Sequence, residues 1–185
     1  SSDGLVHVDD LVAALRDDTV LVSVMHGNNE LGTIQPIAEL AAAAHKVGAL
    51  MHTDAAQTLG KIPFDVGDLD VDAASFSSHK IYGPKGVGVL YIKRGVRFHP
   101  LINGGGQEFK RRSGTQNVVG AIGFAKALEL MLEDQEQERA RLTGLRNKFE
   151  QGVNDALENT EISAKSDERL PNIAHMLIKG VEGES

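Results

Sequence analysis

Two residues able to cooperate in amine chemistry stand just past two apolar, strand-like runs. Asp54 follows residues 49–53, and Lys80 follows residues 73–76, 26 positions after Asp54. Ser77, Ser78 and His79 precede Lys80, and the turn Gly83-Pro84-Lys85-Gly86 comes shortly after it. Most lysines are solvated, and the local sequence taken alone favours that plain reading. A lysine that forms a Schiff base must instead be held in one place, partly dehydrated and close to backbone donors. The polar, glycine-rich surroundings of Lys80 suit that demand. Asp54 alone reads equally well as a cap or turn residue after a strand.

Taken together, the two residues meet the requirements of pyridoxal phosphate. A lysine carries that cofactor as an imine. A carboxylate keeps its pyridine nitrogen protonated, so that the ring accepts electrons from a carbanion. Ala55 and Ala56, next to Asp54, leave room for a flat ring. Phosphate is held by converging hydroxyl and nitrogen donors, and Ser77 and His79 flank Lys80. Their plain alternatives are turn formation by Ser77 and a satisfied polar contact by His79. Ser78 reads as a small spacer.

Four segments carry a family resemblance: HGNNELGTIQPI (26–37), HTDAAQTLGKIPFDV (52–66), SSHKIYGPKGVGVLYI (77–92) and GGGQEFKRRSGTQN (104–117). In this order they resemble the cysteine desulfurases, enzymes of the class V aminotransferase group, in the branch that feeds iron–sulfur cluster assembly. The resemblance runs from about residue 20 to residue 184. It implies the fold type I of pyridoxal-phosphate-dependent transferases, with a mostly parallel sheet covered by helices and the start of a small α/β domain. It makes Lys80 the Schiff-base lysine and Asp54 the partner of the pyridine nitrogen. Gln57, by itself an ordinary surface amide, is carried onto the phenolic oxygen of the cofactor. Asn29 becomes a cofactor or substrate contact, and Ser77 and His79 become phosphate ligands. Thr115, otherwise a loop threonine beside a glycine, becomes the residue that reaches the phosphate of the neighbouring subunit. A homodimer is therefore expected, with L-cysteine as substrate and a sulfur acceptor or iron–sulfur scaffold protein as partner.

The rest of the chain agrees with an α/β protein. It has 185 residues, 20 of them glycine, few aromatics and a net charge of −7. That charge argues against nucleic acid as the main partner. No apolar run approaches the length of a membrane span and the start lacks a signal-peptide pattern, so a cytoplasmic location is expected. Helical spacing marks residues 8–17 and 36–47, the latter with Pro36 early and Gly48 just past the end. Residues 19–25, 49–53, 73–76 and 87–92 read as strands, and alternation with helices suggests a mostly parallel sheet covered by helices. Residues 117–159 read as mostly helical, with Leu142, Leu145, Phe149, Val153 and Leu157 on one face. Strands follow at 161–163 and 173–178. A boundary is expected near the charged stretch 133–141, dividing a large-domain portion, 1–134, from the start of a small domain, 135–185. Neither glycine cluster has a nucleotide-binding pattern. His7, His26, His45, His52, His99 and His175 show no metal-ligand spacing, so no metal is expected.

The chain departs from the family in its cysteines. A desulfurase needs a cysteine whose thiolate attacks the sulfur of the bound substrate, and this chain has no cysteine. In the family that residue follows a Val-Glu-Gly-Glu-Ser segment like residues 181–185. The family's earlier phosphate-binding loop and the histidine that stacks on the ring have no counterpart here. The expectation is an internal fragment of a desulfurase, inactive alone. Selenocysteine lyase shares these motifs and is the alternative enzyme. A non-catalytic dimerisation or scaffold module is the alternative from another class, favoured by the missing cysteine and opposed by the retained Asp54 and Lys80.

Overall fold

The computed structural model describes residues 3–164 and 168–181. Residues 182–185 of the Val-Glu-Gly-Glu-Ser ending lie outside the described residues. The elements run in the order α1 (Val8–Ala14), β1 (Leu21–Met25), α2 (Ile37–Lys46), β2 (Leu50–Asp54), β3 (Ala73–Ser77), a 3-10 turn (Ser78–Ile81), β4 (Gly88–Ile92), a single turn α3 (Gln107–Lys110), α4 (Val118–Glu133), α5 (Gln135–Ala156), β5 (Thr160–Ile162) and β6 (Met176–Ile178).

β1 to β4 form one sheet in sequence order. β1, β2 and β3 run parallel, and β4 returns antiparallel to β3. Strand side chains alternate between faces, and burial follows that period in β1 and β2. Val22, Met51 and Ala74 are buried on one face, against Ile37, Leu40, Ala41 and Ala44 of α2. Val8 and Leu11 of α1 pack against the same cluster. Leu21 and Met25 of β1 and Leu90 of β4 point to the other face and are exposed. Among the described residues, the helical cover thus lies on one face of the sheet. Asp54 belongs to the open face.

The pairing of β2 with β3 begins at a buried carboxylate. Asp72 donates its backbone N–H to Met51 O at 2.8 Å, and its Oδ2 accepts the Met51 N–H at 2.8 Å. The same oxygen meets His45 Nε2 of α2 at 2.8 Å. One residue therefore ties two strands and the helix that covers them. Past this point the register pairs His52 with Ala73, Thr53 with Ala74 and Asp54 with Ser75.

The predicted helix over 117–159 is two helices meeting at Asp134, whose φ of −121° leaves the helical range. α4 packs on the 3-10 turn, and the Gln135 amide donates to Ile62 O at 3.0 Å. The expected apolar face of α5 is present but open, since Leu145, Phe149 and Leu157 are about half exposed. The buried position on α5 is a carboxylate instead. Glu150, 4% exposed, accepts from both terminal guanidinium nitrogens of Arg169, at 2.8 and 2.9 Å. Hydropathy periodicity cannot find such a position, because its burial depends on an arginine 19 residues away. β5 and β6 pair antiparallel in a separate two-stranded sheet. No helix among the described residues is long and apolar enough to cross a membrane.

A buried ion pair is costly to break from one side, because the remaining charge stays desolvated. Arg169→Met is expected to destabilise the fold by about 3–5 kcal/mol, read as a lowered urea midpoint. The double variant Arg169→Met with Glu150→Leu is expected to recover most of that loss.

Candidate active site

β2 and β3 are parallel neighbours, so whatever follows each strand emerges at the same sheet edge. β2 ends on Asp54, and β3 ends on Ser77, which leads directly into the 3-10 turn holding Ser78, His79 and Lys80. The turn closes at Tyr82, which adopts a left-handed φ of 63°. The Gly83 N–H then returns to Ser78 O at 3.1 Å. Ser78 is fully buried, and a Cβ at position 83 would collide with its Oγ. Glycine at 83 is therefore required by a close approach, and the reading of Ser78 as a spacer agrees with this packing. Its Oγ is the buried side-chain atom left without a hydrogen-bond partner among the described residues.

The polar groups at this edge are largely free. One Asp54 oxygen, Oδ1, accepts the Ala56 N–H at 2.9 Å, so the turn-forming reading of Asp54 holds for half of its carboxylate. Its other oxygen has no hydrogen-bond partner among the described residues, and the residue is exposed. Lys80 and His79 are exposed, and neither side chain has a hydrogen bond or ion pair among the described residues. Ser77 is half-buried. Beneath Asp54, Ala55 is fully buried and its N–H is taken by Ser75 O at 3.0 Å. Gln57 follows in the same turn, and its Oε1 accepts from Lys61 Nζ at 3.1 Å, which leaves Nε2 without a partner among the described residues.

Asn29 lies on the loop after β1, at the same edge, and is exposed. That loop is held by Asn28, whose Oδ1 accepts the N–H groups of Glu30 and Leu31 at 2.9 and 2.8 Å. Thr115 lies apart, exposed on the segment between α3 and α4. Its neighbour Ser113 is buried and fixes that segment by donating to Gly105 O at 2.8 Å. The structure thus gathers Asp54, Gln57, Ser77, His79 and Lys80 on adjacent connections. Asn29 is on the next strand's connection, and Thr115 is on a separate loop.

Three residues without an assigned role in the sequence support this edge. His26 is buried, with its backbone N–H on Asp54 O at 2.8 Å and its Nδ1 sharing a 3.0 Å hydrogen bond with Thr58 Oγ1. Its ring meets Phe64 edge-on, and burial pushes its pKa down to about 4. His52 shares the open face with Asp54 and contacts Ser23 Oγ through Nδ1 at 2.8 Å. Burial lowers its pKa, and the Asp54 charge opposes that shift. Lys61 is half-buried; its pKa is lowered first by burial and then by the positive charge of Lys80. Histidine near the end of a strand is the available sequence signal for His26. Nothing in the spacing marks Lys61.

The donor set fits pyridoxal phosphate in chemical type. Among the described residues it offers an unpaired primary amine, a carboxylate oxygen with no partner, an amide N–H₂ left over from Gln57, and hydroxyl and imidazole groups beside the amine. A flat ring could be approached closely because Ala55 and Ala56 carry only methyl groups.

Comparison with known proteins agrees with this chemistry. The chain is 49% identical over 183 residues to a protein named cysteine desulfurase IscS from Dictyoglomus turgidum, covering 99% of this chain and 46% of that one. It is 43% identical over 185 residues to a cysteine desulfurase IscS from Clostridium botulinum, covering 47% of it. A solved NifS-like protein superposes with a TM-score of 0.92 at 43% identity, over 99% of this chain and 50% of that chain. A NifS-like protein from Rickettsia africae gives a TM-score of 0.92 at 32% identity, covering 100% and 52%. The chain therefore spans about half the length of the relatives it matches.

The environment of His26 gives a pH dependence. Its folded-state pKa lies near 4, below the ordinary 6.5. Above pH 6.5 the ring is neutral folded or unfolded and stability is unaffected. As pH falls from 6.5 towards 4, only the unfolded chain gains the proton, and stability drops by about 3 kcal/mol in total. A urea-midpoint series over this range is expected to show the fall, and His26→Gln is expected to flatten it. The aminotransferase class V model matches residues 1–185, the whole of the chain, and the chain belongs to that family.

Proposed function

We propose that the protein containing this chain is a pyridoxal-phosphate-dependent cysteine desulfurase, converting L-cysteine to L-alanine and passing the sulfur to a thiol as a persulfide. The observation that carries this reading is the placement of Asp54 and Lys80 at one edge of two parallel neighbouring strands. Relatives named cysteine desulfurase support the choice of reaction. When bound, the cofactor supplies an electron-accepting ring that stabilises negative charge on the substrate's α-carbon.

The chain's own residues then take defined tasks. Lys80 Nζ is the amine that would hold the cofactor. With the cofactor bound, Lys80 Nζ would also hold and move a proton as a general acid–base. The unpartnered oxygen of Asp54 would hold the pyridine nitrogen of the cofactor and favour its protonated form. Its position at a strand end fixes its direction. Gln57 donates Nε2–H to the phenolic oxygen. Ser77 and His79 hold phosphate oxygens, and Asn29 contacts cofactor or substrate from the loop after β1. Thr115 reaches the phosphate in the other subunit of a homodimer, which accounts for its separation from Lys80 in a single chain. Residues 1–185 contain no cysteine, so the sulfur-accepting thiol is supplied from outside this stretch. The break between α4 and α5 at Asp134 supports dividing residues 1–134, part of the large domain, from 135–185, the start of the small one. A cytoplasmic role in iron–sulfur cluster assembly or thiolation, with a scaffold or sulfur-acceptor protein as partner, completes the reading.

The test is borohydride reduction of the full-length protein with pyridoxal phosphate, followed by peptide mapping. A pyridoxyl adduct on Lys80, lost in Lys80→Ala together with alanine release from cysteine, is expected. Absence of any adduct on Lys80 contradicts the assignment and favours a scaffold. Faster turnover of selenocysteine than of cysteine points to the lyase.

A further inference from the structure

Gln57 presents an orientation problem. A glutamine amide has an oxygen that accepts and a nitrogen that donates, similar in size and shape, and the side chain can present either after a flip. The phenolic oxygen of the cofactor is an acceptor when ionised, so only Nε2 facing it is productive. An exposed glutamine has no reason to keep that orientation. Here the side chain is half-buried, and its Oε1 lies 3.1 Å from Lys61 Nζ, four residues later. An ammonium has three donors and no acceptor, so it selects the oxygen of the amide and rejects the nitrogen.

We infer that Lys61 is a positioning residue that locks the Gln57 amide with Oε1 inward and Nε2 outward, making Gln57 a committed donor to the cofactor's phenolic oxygen. The inference rests on the cofactor reading above and extends it to a residue that makes no proposed contact with the cofactor itself. The local backbone supports such a lock. Leu59 N–H bonds to Ala55 O at 3.1 Å, and the N–H groups of Lys61 and Ile62 both bond to Thr58 O, at 3.0 and 3.2 Å. These bonds coil residues 55–62 tightly enough to bring positions 57 and 61 onto one side. Thr58 is fully buried against His26 and Ala55 is fully buried below Asp54, which anchors the coil to the strand ends. Lys61 is also close enough to Lys80 for the two positive charges to act on each other. A direct effect of Lys61 on Lys80 is therefore the competing account, and the experiment must separate the two.

The readout is the pH midpoint of the visible absorbance band of the cofactor bound to the full-length protein. Donation to the phenolic oxygen favours the form that carries negative charge there, so losing the donor moves the midpoint upward. Lys61→Met is expected to raise it by about one pH unit, while Lys61→Arg, also donor-only, keeps the wild-type value. In a Gln57→Leu background the midpoint is already raised, and adding Lys61→Met is expected to move it no further. An equal shift in that background overturns the inference, because Lys61 then acts through its charge on Lys80. An unshifted Lys61→Met, or an Arg variant shifted as far as Met, overturns it too. Should Lys61→Met fail to take up cofactor, Lys61→Gln replaces it in the same cycle, and its amide, able to donate or accept, is expected to give a partial rise that vanishes in Gln57→Leu. A wild-type protein with no visible band and no adduct on Lys80 overturns the cofactor reading and the Lys61 assignment together. A normal wild-type band with any of the contrary variant results overturns the Lys61 assignment alone.

Discussion

The parallel pairing of β2 with β3 is the constraint on which the candidate site depends. Two neighbouring strands that run the same way end at the same edge, and their following connections must start there. With Asp54 opposite Ser75, β3 ends on Ser77 and the 3-10 turn that follows carries His79 and Lys80 at the same edge as the carboxylate. A slip of one residue would turn Asp54 towards Met51's buried face. The register is held at its far end by Asp72, which bonds the Met51 backbone in both directions and takes His45 from the covering helix. The chemistry at one edge thus relies on a buried carboxylate at the other.

The two faces of this sheet have different tasks. The face carrying Val22, Met51 and Ala74 is closed by α2 with small residues, Ala41 and Ala44, that allow the helix to lie close. The face carrying His52 and Asp54 is where polar groups can meet a ligand. Strand alternation places Thr53 in the core, with its hydroxyl donating to Val24 O at 2.9 Å, while its neighbours point the other way. The same β-strand can therefore be a core element and an active-site wall. Asp54 and Lys80 at the open edge are both exposed, which keeps both available to an incoming cofactor.

Much of this is legible in the sequence, and the reasons are local. The strands ending at Asp54 and Ser77 announce themselves as short apolar runs bounded by polar and small residues, and α2 by its periodicity between Pro36 and Gly48. Lys80 and Asp54 can be paired from the sequence because their motifs occur in a recognisable order. Other features depend on contacts between distant residues and leave no local trace. The burial of Glu150 needs Arg169, and the open apolar face of α5 looks like a core face by spacing alone. The antiparallel return of β4, by contrast, has a local cause: the ten residues 78–87 between β3 and β4 are too few for the crossover a parallel strand needs. Lys61 leaves no sequence signal because its contact with Gln57 depends on the backbone coil of residues 55–62 that brings the two side chains together.

The measurement that bears most directly on the central claim is the nitrogen-15 resonance of a ring-labelled cofactor bound to the full-length protein, in wild type and in Asp54→Ala. If Asp54 at the end of β2 is the partner of the pyridine nitrogen, the wild-type resonance is that of a protonated ring and the variant's moves to the unprotonated position at neutral pH. Identical resonances in the two proteins would contradict the account, because the strand-end carboxylate would then have no part in holding the ring.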